Sequence, residues 1–246
     1  MTGAGRLAAL IREEQPCVVL TGAGVSTESG IPDFRTRTGL WAEYDPMEYA
    51  TISAFRRDPV KVWDFYAKRC EVLATARPNA AHLALAELER RGLVRALITQ
   101  NIDLLHERAG SAAVVEVHGS IRTSSCLSCG HVEPLEGVLE LLRSAPAPAC
   151  RECETILKPD VVMFGELLPP QAIDRAFDLA RDAALLVVVG SSLEVHPVAG
   201  LPGETLAAGG RLAILNRGRT PYDAQAAVAV DGSAGEVLSA VVEALA

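Results

Sequence analysis

The stretch from Cys17 to Arg35, CVVLTGAGVSTESGIPDFR, constrains the fold more than any other part of the chain. The apolar run Cys17–Leu20 predicts a buried parallel strand, which ends in a tight turn at Gly22 and Gly24. The small residues after this turn predict a helix, and the first amides would face an anion such as a nucleotide pyrophosphate. Thr27 stands where the full GxGxxG motif has a third glycine, so an ordinary strand and turn stays open as an alternative.

Further short apolar runs repeat this strand pattern, and helical segments separate them. The predicted strands are Val94–Ile98, Val114–Val117, Val161–Phe164, Leu185–Val189, Leu212–Leu215 and Ala226–Val230. The predicted helices are Arg6–Glu14, Val60–Ala76, Ala80–Arg91, Gln171–Asp182 and Gly235–Leu245. This alternation predicts an α/β fold, a Rossmann-like parallel sheet with helices on both faces.

Two segments interrupt the alternation and predict a second, smaller domain. Residues 36–76 read as a helical insertion rich in aromatic side chains, and residues 123–157 hold four of the six cysteines. We expect residues 1–35, 77–122 and 158–246 to form the large nucleotide-binding domain. The helical insertion and the cysteine-containing insertion would form the small domain.

The cysteines of the second insertion occur as two CxxC pairs, Cys126 with Cys129 and Cys150 with Cys153. Four thiolates at this spacing are typical of a zinc ribbon with one closed, structural Zn²⁺ per chain. Free thiols and a redox disulfide are the alternatives. The adjacent His131 is interpreted as an outer neighbour of the metal or a solvated residue. Cys17 and Cys70 have no partner at metal spacing and are interpreted as packing residues.

Polar residues follow two of the predicted strands. Gln100, Asn101 and Asp103 come directly after one strand, and His118 after the next. The carboxyl ends of parallel strands are where such sheets bind ligands, and a histidine can act as a general base near neutral pH. A structural role for His118, and capping of the following helix by Asn101 or Asp103, stay open. The remaining histidines are interpreted as structural: His82, His106 and His196.

Composition excludes several classes of protein. The net charge is −8, so the basic excess of a nucleic-acid coat is absent, although basic protein partners stay possible. No apolar run approaches the roughly 20 residues that cross a bilayer, and no signal-peptide pattern is seen. We therefore expect a cytoplasmic protein that binds neither nucleic acid nor membrane directly.

Taken together, the motifs resemble those of the sirtuins, the NAD-dependent protein-lysine deacylases, from about Arg12 to Glu236. The matching elements are GAGVS from Gly22, GIPDFR from Gly30, TQNID from Thr99, His118-Gly119, the paired CxxC motifs, FGE from Phe164, GSSLEVHPVAGLP from Gly190, and Asn216. The resemblance implies that NAD⁺ and acyl-lysine proteins or peptides meet between the two domains. It also implies that nicotinamide and O-acyl-ADP-ribose are released.

The resemblance assigns roles to individual residues. It implies that His118 is the catalytic base, assisted by Asn101, and that Phe34 shields the reactive ribose. Val161–Phe164 and Gly190–Val195 would hold the substrate peptide between them as an added strand. The implied cofactor contacts are Gly22, Ala23, Gly24, Ser26, Asp33, Phe34, Arg35, Gln100, Asn101, Ile102, Asp103, Gly190, Ser191, Ser192, Asn216 and Ala234.

A smaller set resembles the sirtuins that remove succinyl and malonyl groups. Ala50 would widen the acyl pocket, and Tyr66 and Arg69, three apart on one helix, would bind a distal carboxylate. A packed tyrosine and a solvated arginine are the alternative. Asp33 departs from this subgroup, in which many members carry threonine. Two rival functions stay open: protein mono-ADP-ribosyl transfer from the same cofactor, and a non-enzymatic zinc-ribbon scaffold that senses NAD⁺.

Overall fold

The computed structural model describes residues 2–246 and contains a six-stranded parallel sheet. Its order is β3-β2-β1-β7-β8-β9, so β1 lies between β2 and β7. The strands are β1 Cys17–Thr21, β2 Ala96–Thr99, β3 Val114–Glu116, β7 Leu185–Val189, β8 Arg211–Leu215 and β9 Val228–Val230. Every residue of β1 and β7 is buried, as expected for central strands covered on both faces.

Helices cover both faces of this sheet, and the side chains of β1 alternate between two cores. Val19 packs with Leu85 on one face, whereas Val18 and Leu20 pack with Leu179 on the other. The helices are α1 Gly3–Glu13, α2 Pro46–Tyr49, α3 Ile52–Arg57, α4 Pro59–Thr75, α5 Ala80–Arg90, α6 Leu105–Arg108, α7 Leu135–Leu142, α8 Pro170–Asp182, α9 Leu201–Ala207 and α10 Ala234–Ala244. The predicted Rossmann-like α/β class is confirmed.

The second sheet has three antiparallel strands in the order β5-β4-β6, with β4 Gly119–Ser125, β5 Val132–Pro134 and β6 Lys158–Val161. The two insertions share one core, in which Trp63 is fully buried. The indole Nε1 of Trp63 donates to the carbonyl of Leu157 at 2.7 Å and so ties the helical insertion to the cysteine segment. The domain boundaries remain a prediction. Strand β4 runs across the predicted boundary between residues 122 and 123, and it pairs with β6, which begins the last predicted segment of the large domain.

One predicted strand is wrong. Val161–Phe164 does not join the parallel sheet, because the strand found there is β6, which ends at Val161 and pairs with β4. The apolar run serves the core of the small domain instead: Val161 and Met163 are 3% and 2% exposed within it. Phe164 forms only an isolated bridge with Thr51.

Local signals place the ends of α5 correctly. The side chain of Asn79 accepts from the amides of Ala81 and His82, and Gly92 follows the helix with φ +73°. The turn after β1, in contrast, leads into a 3₁₀ helix, Ala23–Ser29, where the sequence predicts an ordinary helix. Across residues 2–246, no helix combines the length and the apolar character that crossing a membrane requires.

Two leucines of α5 test which face of this helix contributes to the free energy of unfolding. Leu85 is fully buried and Leu83 is 55% exposed, so the same substitution can be compared at two positions of one helix. We expect Leu85→Ala to lower the free energy of unfolding by about 2–5 kcal/mol, because it leaves a cavity. Leu83→Ala should change it by less than about 0.5 kcal/mol. Urea denaturation measures both, and equal losses would contradict this packing.

Candidate active site

A cavity of about 1190 Å³ lies between the carboxyl ends of the parallel strands and the small domain. Its walls include all the residues for which the sequence predicts a catalytic, cofactor or substrate role, except Leu193, which is buried in the core of the sheet. Most of these lining residues belong to the turn after β1, the ends of β2, β7 and β8, helix α4 and the segment after β6. The four paired cysteines do not line it. The structure thus brings together residues that are up to about 200 positions apart.

The two glycines of the turn after β1 allow close contact with the end of β7. The amide of Gly22 donates to the carbonyl of Val189 at 3.1 Å, and that of Gly24 to the carbonyl of Gly190 at 2.9 Å. A Cβ atom on either glycine would lie 2.8 Å from main-chain atoms of Gly190. These two amides are therefore paired within the protein, and the expectation that amides at the start of the following helix face an anion stays a prediction. The two glycines allow the main chain after β1 to lie close to the main chain at the end of β7.

Ser26, Asn101 and Asp103 form a buried hydrogen-bond network beneath the cavity. The hydroxyl of Ser26 donates to Oδ2 of Asp103 at 2.7 Å. Nδ2 of Asn101 donates to Ser26 Oγ and to the carbonyl of Gly22, both at 3.1 Å. Asp103 also accepts from the amide of Leu105, the first residue of α6. Asp103 therefore takes part in the network and also binds the start of the next helix, as the alternative interpretation proposed.

His118 has one ring nitrogen available to the cavity. Its Nδ1 lies 3.1 Å from the carbonyl of Gln100, which can only accept, so Nδ1 carries the proton and Nε2 keeps its lone pair. Burial lowers the pKa of His118 below its usual 6.5, and the bond to Gln100 opposes this shift. The imidazole is therefore neutral at pH 7 and able to accept a proton.

His82 and His106, which the sequence interpretation treats as structural, belong to the layer beneath this network. Nδ1 of His82 accepts from the amide of Asn79, so Nε2 carries the proton and lies 3.4 Å from Ser26 Oγ. His106 contacts the hydroxyl of Thr21 at 2.9 Å. Burial lowers the pKa of His82 to about 4 and that of His106 to about 3. The i, i+3 spacing of Asn79 and His82 is the one sequence signal for the hydrogen bond from the amide of Asn79 to His82.

The segment around Phe34 is held at both of its ends. Oδ1 of Asp33 accepts from the amides of Arg35 and Thr36 at 2.9 and 2.8 Å, which closes the turn. The guanidinium of Arg35 pairs with Glu194 at 2.9 Å and thereby reaches the segment after β7. No sequence pattern predicts the pairing of Arg35 with Glu194, because the two residues are far apart in the chain.

The guanidinium of Arg69 lies between two aromatic rings at one end of the cavity. It is 5.1 Å from the ring centre of Phe34 and 5.3 Å from that of Phe65. Burial lowers the pKa of Arg69, and among residues 2–246 no carboxylate forms an ion pair with it. Tyr66 is buried beside it, and burial raises the pKa of its phenol to about 12. This end of the cavity therefore has a guanidinium without an ion-pair partner among residues 2–246 and a neutral hydroxyl, and Asp103 is the carboxylate whose charge acts on Arg69.

The four paired cysteines form a separate cluster beside β4 and β5. Cys126 and Cys153 have sulfurs 3.4 Å apart, those of Cys129 and Cys150 are 3.6 Å apart, and all four lie within 4.8 Å of one another. Four thiolates around Zn²⁺, each about 2.3 Å from the metal, have sulfurs about 3.8 Å apart, so the set fits one tetrahedral ion. His131 lies outside the set and contacts Glu133 at 3.2 Å.

Sequence comparison connects this cavity to known proteins. A model of the Sir2 family matches residues 22–197. An NAD-dependent protein deacylase 1 of Archaeoglobus fulgidus is 46% identical over 237 residues, which is 96% of either chain.

Structure comparison agrees. A Sir2 protein solved with a deacetylated peptide and 3′-O-acetyl-ADP-ribose has a TM-score of 0.93 at 40% identity, covering 97% of this chain and 96% of that one. Another Sir2 protein, bound to a propionylated peptide, has a TM-score of 0.89 at 39% identity over 97% and 96% of the two chains.

The cysteine cluster predicts one zinc ion per chain. We expect elemental analysis of the purified protein to find about one equivalent, because the four sulfurs leave no ligand position open. Cys153→Ser should lower the zinc content to below about half and reduce the melting temperature. Cys70→Ala, which removes a buried thiol outside the cluster, should keep the metal. Full zinc in the Cys153 variant would contradict the assignment.

Proposed function

This chain belongs to the Sir2 family, and we propose that it is an NAD-dependent protein-lysine deacylase that removes succinyl and malonyl groups as well as acetyl groups. The observation that carries the acyl preference is the guanidinium of Arg69, which lies in the cavity without a carboxylate partner among residues 2–246. The deacylase activity itself accords with the named relatives. The acyl preference rests on this chain's own residues.

The cavity suits a dinucleotide. The close contact of Gly22 and Gly24 with Gly190 brings the ends of β1 and β7 together, and Asn216 extends the same edge at the end of β8. We assign cofactor contacts to these residues and to those predicted from the turn after β1, β2 and α10. Bound NAD⁺ supplies an electrophilic ribose carbon from which nicotinamide can leave.

His118 would hold the proton that the reaction releases. Its Nδ1 is fixed by the carbonyl of Gln100, so Nε2 is the basic atom toward the cavity. Asn101 is held from two sides: its amide donates to Thr99, and its side chain donates to Gly22 and Ser26. This fixed amide would orient the reacting groups, and the surrounding walls would keep water out.

The substrate peptide would lie between the segment after β6 and the segment after β7. Within residues 2–246, the N–H and C=O groups of Gly165 form no hydrogen bond with the main chain, and the residue is exposed. Such groups can pair with an added strand. The similar protein solved with a propionylated peptide supports an acyl-lysine substrate.

The end of the cavity at Arg69 would receive the acyl group. A guanidinium donates two parallel hydrogen bonds to a carboxylate, and the neutral phenol of Tyr66 can donate a third. Ala50 is small and buried and also lines the cavity, so its side chain would leave space for an acyl chain longer than acetyl. A carboxylate here would also compensate a cation that is otherwise desolvated.

Arg69 variants test the acyl preference. We expect Arg69→Met to lower kcat/KM for a succinyl-lysine peptide by about tenfold to a hundredfold, because hydrogen bonds between charged groups are lost. The acetyl-lysine peptide of the same sequence should lose no more than about threefold, through the lost contact with Phe34. Arg69→Lys keeps the charge but not the planar fork, so its effect on succinyl turnover should be intermediate. Equal losses for the two peptides would contradict a role of Arg69 in reading the carboxylate.

His118 predicts how activity depends on pH. Its lowered pKa keeps Nε2 unprotonated at neutral pH, so kcat/KM should be flat from about pH 7 to 8. It should fall as the pH drops through a pKa below 6.5.

His118→Ala should reduce peptide-dependent nicotinamide release by at least about a hundredfold. His196→Gln, at the other histidine of the cavity wall, should retain activity within about threefold. Mass spectrometry that finds ADP-ribosyl groups on protein instead of deacylated peptide would overturn the proposal in favour of ADP-ribosyl transfer.

A further inference from the structure

Lys158, at the start of β6, is a buried cation whose three donors are all used. It is 6% exposed, and an ammonium group has three hydrogens to donate. Nζ lies 3.0 Å from the carbonyl of Pro159, 2.9 Å from that of Val161 and 2.9 Å from Oε2 of Glu166. The full set of partners indicates a built interaction, and the mechanism above does not use it.

Glu166 connects this cation to a turn at the edge of the cavity. The oxygen that binds Lys158 also accepts from the amide of Met163 at 2.8 Å, and the amide of Glu166 donates to the carbonyl of Met163 at 3.0 Å. Gly165, inside the turn, has φ +87°, which favours glycine. The turn Met163–Glu166 is therefore closed by its own main chain and by the carboxylate that Lys158 holds.

The opposite side of this turn is tied to the helical insertion. The amide of Phe164 donates to the carbonyl of Ala50 at 2.8 Å, and the amide of Ile52 donates to the carbonyl of Phe164 at 3.0 Å. The turn is thus held from below by Lys158 and from the side by Ala50–Ile52. Gly165 and Phe164 remain exposed toward the cavity.

We propose that Lys158 is a positioning residue for the acyl-lysine peptide, acting through Glu166 on the turn Met163–Glu166. This inference rests on the proposed function, because the peptide is the ligand that the turn would meet. A buried ion pair costs desolvation, and an apolar pair of the same volume is often as stable. The pair instead fixes one geometry of the turn, so that the free main-chain groups of Gly165 face an incoming strand.

Kinetics with matched variants test the role. We expect Lys158→Met and Glu166→Gln each to raise KM for an acetyl-lysine peptide by about tenfold, as loss of one charged hydrogen bond would. KM for NAD⁺ should stay within about twofold, because no cofactor contact is assigned to the turn. Lys158→Arg, which keeps a cation, should restore part of the peptide affinity. Arg181→Met removes an exposed ion pair with Glu204 at 2.8 Å and should leave both constants unchanged.

A double variant separates positioning from stability. Each single variant leaves one charge without its partner and should lower the melting temperature, whereas Lys158→Met with Glu166→Gln removes both charges and should recover much of it. The peptide KM of the double variant should nevertheless remain raised. A peptide KM that recovers together with the melting temperature, or an equal rise in the KM for NAD⁺, would overturn the positioning role.

Direct binding distinguishes this inference from the proposed function. Isothermal titration of the acetyl-lysine peptide, with ADP-ribose present, should show weaker binding to Lys158→Met than to the wild type by about the same tenfold. A wild type that binds the peptide but does not consume NAD⁺ would refute the function and leave the positioning role intact. A wild type that turns over normally while Lys158→Met binds equally tightly would refute the positioning role alone. A wild type that binds no acyl-peptide would refute both.

Discussion

The contact between the main chains at the ends of β1 and β7 is the constraint on which the cavity depends. Gly24 approaches Gly190 so closely that a single methyl group on it would lie 2.8 Å from the Cα of Gly190. Gly190 itself has φ +62°, and its amide donates to the carbonyl of Leu215 at the end of β8. Three strand ends are thereby fixed against one another. Ser26, Ser191 and Asn216 follow these three strands, and all of them line the cavity.

The same contact places the hydrogen-bond network that we propose supports the reacting groups. Ser26 follows the glycine turn, and it joins Asn101 and Asp103 from the end of β2. The histidines beneath are neutral at pH 7, because burial lowers their pKa values to about 4 and about 3. His118 differs in its tautomer: its proton is on Nδ1, whereas His82 carries it on Nε2. Hydrogen-bond partners therefore distinguish the histidine whose Nε2 is available to the cavity from one that supports the buried network.

Features that depend on near neighbours in sequence were predictable, and those set by distant contacts were not. The strand Leu185–Val189 and both ends of α5 follow from local patterns, and the cavity residues follow from the rule that parallel strands end at one edge. The apolar run Val161–Phe164 reads like a buried strand, but its burial comes from the small domain. The partners of Arg35 and Lys158 could not be predicted either, since Glu194 is remote in sequence and Glu166 is reached only through a turn.

Two cations, Lys158 and Arg69, lie near the edge of the cavity and differ in their hydrogen-bond partners. Burial removes water from both cations, which is unfavourable for a charge: Lys158 is buried and Arg69 is partly buried. Every donor of Lys158 has an acceptor within the protein, so no ligand is needed to compensate its charge. Arg69 lies against the faces of Phe34 and Phe65, and aromatic faces leave the in-plane donors of a guanidinium free. We therefore propose different roles for the two cations: Lys158 would position the turn, and Arg69 would bind the acyl carboxylate. Arg69 lies against Phe34, and we propose that the Phe34 segment contacts the cofactor, so an acyl group bound by Arg69 would also lie beside the proposed cofactor site.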